Sequence, residues 1–202
     1  MPRTDKRGGP QTRARIAEVA ARMFLERGFD AVTVAEVARE AGVSSVTVFN
    51  HFPRKEDLYL DRAAEAVELL RSAVRDHAPD TDVLAALREL TLRLADDRRP
   101  LSGLADGSVP FFKTVAGSPA LIARAREIAA ELQQTLTEVL EPAFEGDGPL
   151  LAAFFIAGYG TVLTETARRL LDGDPLGAVA ADHRARLEGL FDALRTGVVP
   201  RP

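Results

Sequence analysis

The chain has 202 residues, of which 46% are hydrophobic and 28% are charged, proportions typical of soluble globular proteins. It contains no cysteine, which excludes a disulfide framework, a thiolate nucleophile and a cysteine-ligated metal site. The net charge of −4 hides an asymmetry, because residues 1–60 hold ten Lys and Arg against eight Asp and Glu.

The N-terminal residues 1–11 are predicted to form a disordered basic arm. Residues 1–10 contain two prolines and two glycines, and their basic side chains outnumber the acidic ones three to one. Such an arm suits contacts with DNA phosphates or the minor groove, and a solvated tail without a partner is the alternative. The arm lacks the apolar core of a secretory signal, and the longest apolar run, 149–163, is short for a bilayer span. We therefore expect a cytoplasmic protein without a membrane partner.

A first helix is predicted from about Thr12 to Arg27, and Gly28 suits its end. Apolar residues recur along it at helical spacing, which predicts one buried face. These residues are Ile16, Val19, Ala20, Met23 and Phe24.

The stretch from Thr33 to Lys55 reads as two short helices joined by a glycine turn. Thr33 and Glu36 have the spacing of a capping box, which starts the first helix. Ala38 is small enough for a second helix to cross closely, and Gly42 suits a left-handed turn. The pattern predicts a helix-turn-helix, and an ordinary helical hairpin is the alternative.

The second of these helices presents short side chains outward. Val43 and Val48 are predicted to point to the core. Donors, acceptors and methyl groups at the start of a helix suit the edges of bases in the major groove. The outward side chains are Ser45, Val46, Thr47 and Asn50.

The run from Thr12 to Leu58 resembles the DNA-binding region of the TetR family of bacterial transcriptional regulators. The resemblance rests on the helix-turn-helix, the F-x-x-x-G-F turn that begins at Phe24, and the H-F-P-x-K-E-D-L exit that begins at His51. It implies a helix-turn-helix DNA-binding domain over 12–54. The predicted DNA-binding residues are Arg13, Thr33, Ser44, Ser45, Val46, Thr47, Phe49, Asn50, His51 and Lys55.

Three features depart from the usual family pattern. Phe49 stands where a tyrosine often reaches a phosphate, and Arg54 stands where a capping serine is common. The recognition helix also holds no arginine, the usual partner of guanine. His51 has a second interpretation as a capping and packing residue.

The remainder, 55–202, is predicted to be an antiparallel helical bundle, so the fold class is all-α with no strand signal. Pro100–Ser118 reads as a flexible connector with Val109, Phe111 and Phe112 on a lid or pocket wall. The predicted helices span about Lys55–His77, Asp82–Asp97, Pro119–Glu141, Pro149–Leu171 and Leu176–Arg195.

The last two helices are predicted to form the interface of a homodimer, as the resemblance also implies. Apolar or small residues surround the first of them almost completely, which favours burial on more than one side. A single monomeric bundle is the alternative. The predicted interface residues are Ala153, Ala157, Thr161, His183, Leu187, Leu190, Phe191 and Leu194.

The resemblance further implies that this ligand-binding and dimerisation domain takes up a small molecule. Its apolar composition favours an apolar or aromatic effector, although for each residue taken separately core packing is favoured over a pocket role. The predicted pocket residues are His77, Phe111, Phe112, Phe154, Phe155, Tyr159 and Thr164.

We therefore expect a ligand-responsive repressor that binds a palindromic operator in double-stranded DNA as a dimer, without a cofactor or metal. An activator, or a regulator without a ligand, is the first alternative, and a non-specific architectural DNA-binding protein is the second. An enzyme is not expected, because three histidines and no cysteine, phosphate loop or nucleophile motif are present.

Overall fold

The computed structural model describes residues 9–76 and 82–197, and every regular element within these ranges is helical. The predicted all-α class is thereby confirmed. Short 3-10 turns at Glu56–Leu58 and Pro100–Ser102 supplement the α-helices. The helices are α1 Gly9–Arg27, α2 Val34–Glu40, α3 Ser45–His51, α4 Ala63–Arg75, α5 Val83–Asp96, α6 Ser108–Ala116, α7 Pro119–Leu140, α8 Gly148–Leu171 and α9 Leu176–Gly197.

Three boundaries differ from the predictions. α1 begins at Gly9 rather than Thr12, which is possible because Pro10 lies in the first turn, where no intrahelical N–H donor is needed. The helix predicted to start at Lys55 is a 3-10 turn followed by α4, because Leu58 and Tyr59 turn into the core. The predicted connector at 100–118 contains α6, whose Pro110 likewise lies in the first turn. The predicted end of α4 at His77 lies outside the described residues.

The chain divides into two compact units. The first contains the described residues up to Asp61 together with Thr114–Arg124, and the second contains Arg62–Lys113 and the described residues from Ala125 onward. The predicted stripe of α1 supplies the core of the first unit, where Ile16 and Phe24 are fully buried. The ring of Phe24 lies 4.9 Å from that of Phe29 and 5.8 Å from that of Tyr59.

The core of the second unit lies between α5, α8 and α9. Leu87 of α5, Leu151 of α8 and Leu187 of α9 are fully buried. Two apolar clusters fill this region, and Phe155 and Phe191 pack in one of them with ring centroids 5.9 Å apart. By length and composition α8 could also cross a bilayer, a criterion that core helices of globular proteins often meet.

The structure corrects part of the predicted dimer interface. Most of the predicted α9 side chains fill the core of their own subunit, and Leu190 packs against Gly158 of α8, where a Cβ would lie 2.3 Å from its Cδ1. A helix stripe of apolar residues identifies a covered face but does not show whether the cover is the same chain or a partner. Ala157 and Thr161 are exposed, as the prediction requires. The buried α9 residues are His183, Leu187, Phe191 and Leu194.

His183 is a fully buried polar side chain in this apolar core. Its Nδ1 lies 2.8 Å from the hydroxyl of Thr166, which also donates to the carbonyl of Val162 at 2.9 Å. The hydroxyl has one proton, so donation to Val162 makes it the acceptor of Nδ1–H. Among the described residues Nε2 has no hydrogen-bond partner. Burial lowers the pKa of His183 to about 4, although Asp182 opposes the shift.

The stability of the protein is therefore expected to fall in mild acid. The unfolded chain binds a proton at His183 near pH 6.5 and the folded chain only near pH 4, so protonation between these values stabilises the unfolded state. The expected loss over this window is on the order of 3 kcal/mol. Urea unfolding at pH 7.5 and pH 5 samples the upper part of this window, where a loss of about 2 kcal/mol is expected, and His183→Gln is expected to flatten the dependence. Parallel losses in both proteins would assign the acid sensitivity to other groups.

Candidate nucleic-acid interface

The start of α2 is fixed by the predicted capping box. The hydroxyl of Thr33 accepts the N–H of Glu36 at 3.2 Å, and the Glu36 carboxylate accepts the N–H of Thr33 at 2.8 Å. Arg27 donates to the same carboxylate at 2.6 Å, and with Thr33 it holds the pKa of Glu36 at about 2. The hydroxyl of Thr33 is hydrogen-bonded to Glu36 as well, so this predicted DNA contact already has an internal partner.

The turn between α2 and α3 has the predicted geometry. Gly42 has φ of +66°, and the N–H of Val43 donates to the carbonyl of Ala38 at 2.9 Å. A Cβ on Gly42 would meet no atom within 4 Å, so the glycine is required for its backbone conformation rather than for space. Ala38 is buried, as expected for the residue at the helix crossing.

α3 has one buried and one outward face. Ser44 caps the helix by accepting the N–H of Thr47 at 3.0 Å, and Val48 is fully buried. The predicted base-facing residues lie on the outward side, although Ser45 and Thr47 are half-buried. The exposed residues of α3 are Val46, Phe49 and Asn50. His51 is half-buried, and its carbonyl accepts a hydrogen bond from Arg13 of α1.

Arg13 is turned into the first unit rather than toward the outward face of α3. Its guanidinium donates to the carbonyls of His51 at 2.5 Å and Asp61 at 3.2 Å. It also lies 4.0 Å from the centroid of the Phe52 ring. Two of these contacts join α1 to the end of α3, and the third joins α1 to the segment that follows the 3-10 turn, so Arg13 has a role within the unit besides the predicted DNA contact.

Replacement of Arg13 is expected to affect the fold of the first unit. Arg13→Met removes two hydrogen bonds from a charged donor, each worth about 1.5–3 kcal/mol, and should lower stability and binding to every DNA sequence. Arg13→Lys should not restore stability or DNA binding, because an ammonium cannot replace a planar guanidinium that donates two hydrogen bonds and stacks on an aromatic ring. Urea unfolding and DNA binding at several salt concentrations test this. Unchanged stability with a salt slope reduced by about 1 would instead support a phosphate contact.

Lys55 is also held by the aromatic core of its own unit. Its ammonium lies 4.3 Å from the centroid of Phe29 and 5.9 Å from that of Phe24. Arg22 and Arg27 of α1 pair with Glu40 and Glu36 of α2 at 2.8 and 2.6 Å. Several cations next to α3 therefore have partners within the unit.

Sequence reasoning missed the segment 114–124 of the first unit. Arg124 donates to the carboxylate of Asp57 at 2.7 Å, and Ser118 donates to that of Asp30 at 3.3 Å. These partners lie 67 and 88 residues apart in the chain, so no local periodicity could indicate them.

The second unit brings some of the predicted pocket residues together and leaves others on its surface. Phe155 is buried in the core, whereas Phe154 is exposed because adjacent helical residues point about 100° apart. Thr164 is also exposed, and its hydroxyl donates to the carbonyl of Gly160. His77 lies outside the described residues. Phe154 and Thr164 therefore lie on the exposed side of α8, whereas the ring of Phe155 stacks on that of Tyr159 with centroids 6.1 Å apart.

Phe112 and Tyr159 do share one apolar cluster. Phe112 packs over Gly103, where a Cβ would lie 2.8 Å from its ring, and its ring centroid is 5.6 Å from that of Phe111. The hydroxyl of Tyr159 donates to the carbonyl of Leu101 at 3.0 Å, and burial raises its pKa.

A surface depression of about 240 Å³ lies elsewhere in the second unit. It has an apolar floor and a rim of both charge signs, and none of the predicted pocket residues line it. Its lining residues are Glu65, Leu69, Leu90, Arg93, Leu94, Asp97 and Arg99.

Known proteins resemble this chain in sequence over part of its length. Residues 16–61 match the family described as bacterial regulatory proteins, tetR family. The chain is 33% identical over 100 residues to the HTH-type transcriptional regulator TtgR of Pseudomonas putida. This match covers 48% of this chain and 47% of TtgR. It is 30% identical over 103 residues to the HTH-type transcriptional repressor KstR2 of Rhodococcus jostii, and this match covers 51% of this chain and 44% of KstR2. The chain spans about half the length of the curated relatives it matches.

The likeness of folds extends over more of the chain. FadR of Thermus thermophilus, a TetR-family transcriptional repressor solved in complex with lauroyl-CoA, has a TM-score of 0.53 and 27% identity. The match covers 94% of this chain and 96% of FadR. With a helix-turn-helix of matching sequence and geometry, residues 16–61 form a DNA-binding domain of the TetR family of bacterial transcriptional regulators.

Proposed function

We propose that the protein is a ligand-responsive repressor that binds a palindromic DNA operator as a homodimer in the cytoplasm. The observation that carries the proposal is the outward face of α3, which the capping box, the Gly42 turn and buried Val48 hold in place. The relatives named as transcriptional regulators and repressors support it.

The roles at the DNA follow from the side chains of α3. Ser45 and Asn50 supply hydrogen-bonding groups for base edges, while Val46 and Thr47 supply methyl groups. Phe49 contacts a sugar or a base methyl, since it has no hydroxyl for a phosphate. Ser44, His51 and Lys55 lie near the DNA backbone and position the helix.

The dimer interface in this proposal uses the exposed face of α8. Exposed uncharged residues recur there at intervals of four and three, the spacing of helix-packing seams. On α9 the exposed Ala181, Ala185 and Gly189 would allow a partner helix to approach closely. Exposed apolar surface of this extent is typical of a contact with another chain. The α8 face comprises Leu150, Phe154, Ala157, Thr161 and Thr164.

An effector bound in the second unit can influence the DNA-binding unit through α7. This helix is continuous, although residues up to Arg124 belong to the first unit and those from Ala125 to the second. The Arg124–Asp57 ion pair holds its beginning to the 3-10 turn that follows α3. A ligand that prefers one position of α7 would therefore change DNA affinity. The apolar cluster of Phe112 and Tyr159 favours an effector with an apolar part, as does the lauroyl chain of the lauroyl-CoA bound to FadR.

Selection from a random duplex library with the full-length protein tests the proposed function. An inverted repeat with half-sites about one helical turn apart is the expected result. Asn50→Ala should weaken binding to the selected duplex by about 1–3 kcal/mol and leave binding to random DNA unchanged. Uniform recovery of all sequences would overturn the proposal in favour of an architectural DNA-binding protein.

A further inference from the structure

The exposed face of α3 carries two large apolar side chains. Val46 is 69% exposed and Phe49 is 48% exposed. They are three residues apart, so they lie next to each other on one face of the helix. Among the described residues of the first unit, the other large apolar side chain of similar exposure is Leu25, which is the single one of its kind in α1. An adjacent pair of exposed apolar side chains on a helix of seven residues indicates a contact surface.

The hydroxyl groups at the start of α3 are partly engaged within the protein. The Ser44 hydroxyl accepts the N–H of Thr47 at 3.0 Å and lies 2.9 Å from the Thr47 hydroxyl. This internal hydrogen bond reduces the capacity of both groups to bond a base. The amide of Asn50 remains the main polar group of the exposed face.

Cationic readers of guanine are missing from this helix. α3 contains no Arg or Lys. Arg13 is committed to two backbone carbonyls and the Phe52 ring, and Lys55 lies over the Phe29 ring. The bidentate arginine contact that usually selects guanine therefore has no donor in α3.

Thymine is the base that matches an apolar reader in the major groove, because it alone presents a methyl group there. Its partner adenine presents the N6 and N7 pair that an Asn amide recognises. We propose that Val46 and Phe49 read the 5-methyl groups of thymine, with Asn50 on a nearby adenine. This inference rests on the proposed function and names what each operator half-site must contain, which is A·T pairs under α3.

The test compares thymine with deoxyuridine, which pairs identically and lacks only the methyl group. The probe is the duplex selected from the random library, resynthesised with deoxyuridine at one thymine position at a time. The wild-type protein is expected to bind about fourfold more weakly for each methyl it reads, from about 0.8 kcal/mol per buried carbon. Val46→Ala and Phe49→Ala are expected to bind the thymine and deoxyuridine duplexes equally at the position each side chain reads.

Two controls make the outcomes distinct. Leu25→Ala truncates an exposed apolar residue on α1 and should keep the preference for thymine, and thermal unfolding checks that each variant folds. Val46→Thr exchanges one methyl for a hydroxyl at nearly constant shape and should reduce the preference for thymine.

A selected duplex whose affinity is unchanged by deoxyuridine at every position would overturn methyl reading and leave the proposed function as a regulator intact. Failure to select any sequence would instead overturn the proposed function.

Discussion

Phe154→Asp is expected to convert the proposed dimer to monomers and to reduce operator affinity by on the order of 100-fold or more. The substitution would place a carboxylate in the apolar interface formed by the exposed α8 face, where an unpaired charge is strongly unfavourable. A monomer then binds one half-site without the second, which removes the gain from simultaneous engagement. Light scattering coupled to size-exclusion chromatography gives the mass, and fluorescence anisotropy with the selected duplex gives the affinity.

Val109→Asp provides the matched control, because Val109 has a similar exposure on α6. It should leave both mass and affinity unchanged. A Phe154→Asp protein that remains a dimer would contradict the α8 interface. A monomer that still binds the full palindrome with unchanged affinity would contradict the link between dimerisation and operator binding.

Breaking the Arg124–Asp57 ion pair is expected to destabilise the first unit by about 3–5 kcal/mol. Only 11% of the Arg124 side chain and 16% of the Asp57 side chain are exposed, so removal of one partner leaves a poorly solvated charge. Asp57 also accepts the backbone N–H of Arg54 at 3.2 Å, which fixes the exit from α3. Asp57→Asn and Arg124→Met should each lower the free energy of unfolding in urea and weaken DNA binding.

The double variant is expected to be less destabilised than the sum of the two single variants, because the two residues share one interaction. Glu40→Gln is the control, since it breaks the Arg22–Glu40 pair, whose side chains are both about half exposed. It should have no measurable effect. Additive losses in the double variant would show that the residues act independently.

Local sequence patterns predicted the helix-turn-helix well. The capping box of Thr33 and Glu36 and the left-handed Gly42 are confirmed, because both depend on residues within four positions of each other. The stripe of α1 is confirmed for the same reason, since helical spacing alone places Ile16 and Phe24 on one face. The all-α class follows from the same periodicity.

The sequence by itself determined which faces are apolar and where most helices begin and end. Only the tertiary structure decided what covers each face. It buried His183 and Leu187 within the subunit, turned Arg13 onto backbone carbonyls, and joined Arg124 to Asp57. The physical reason is that a periodic pattern records the need for burial, whereas the partner that satisfies it depends on contacts between residues distant in the chain.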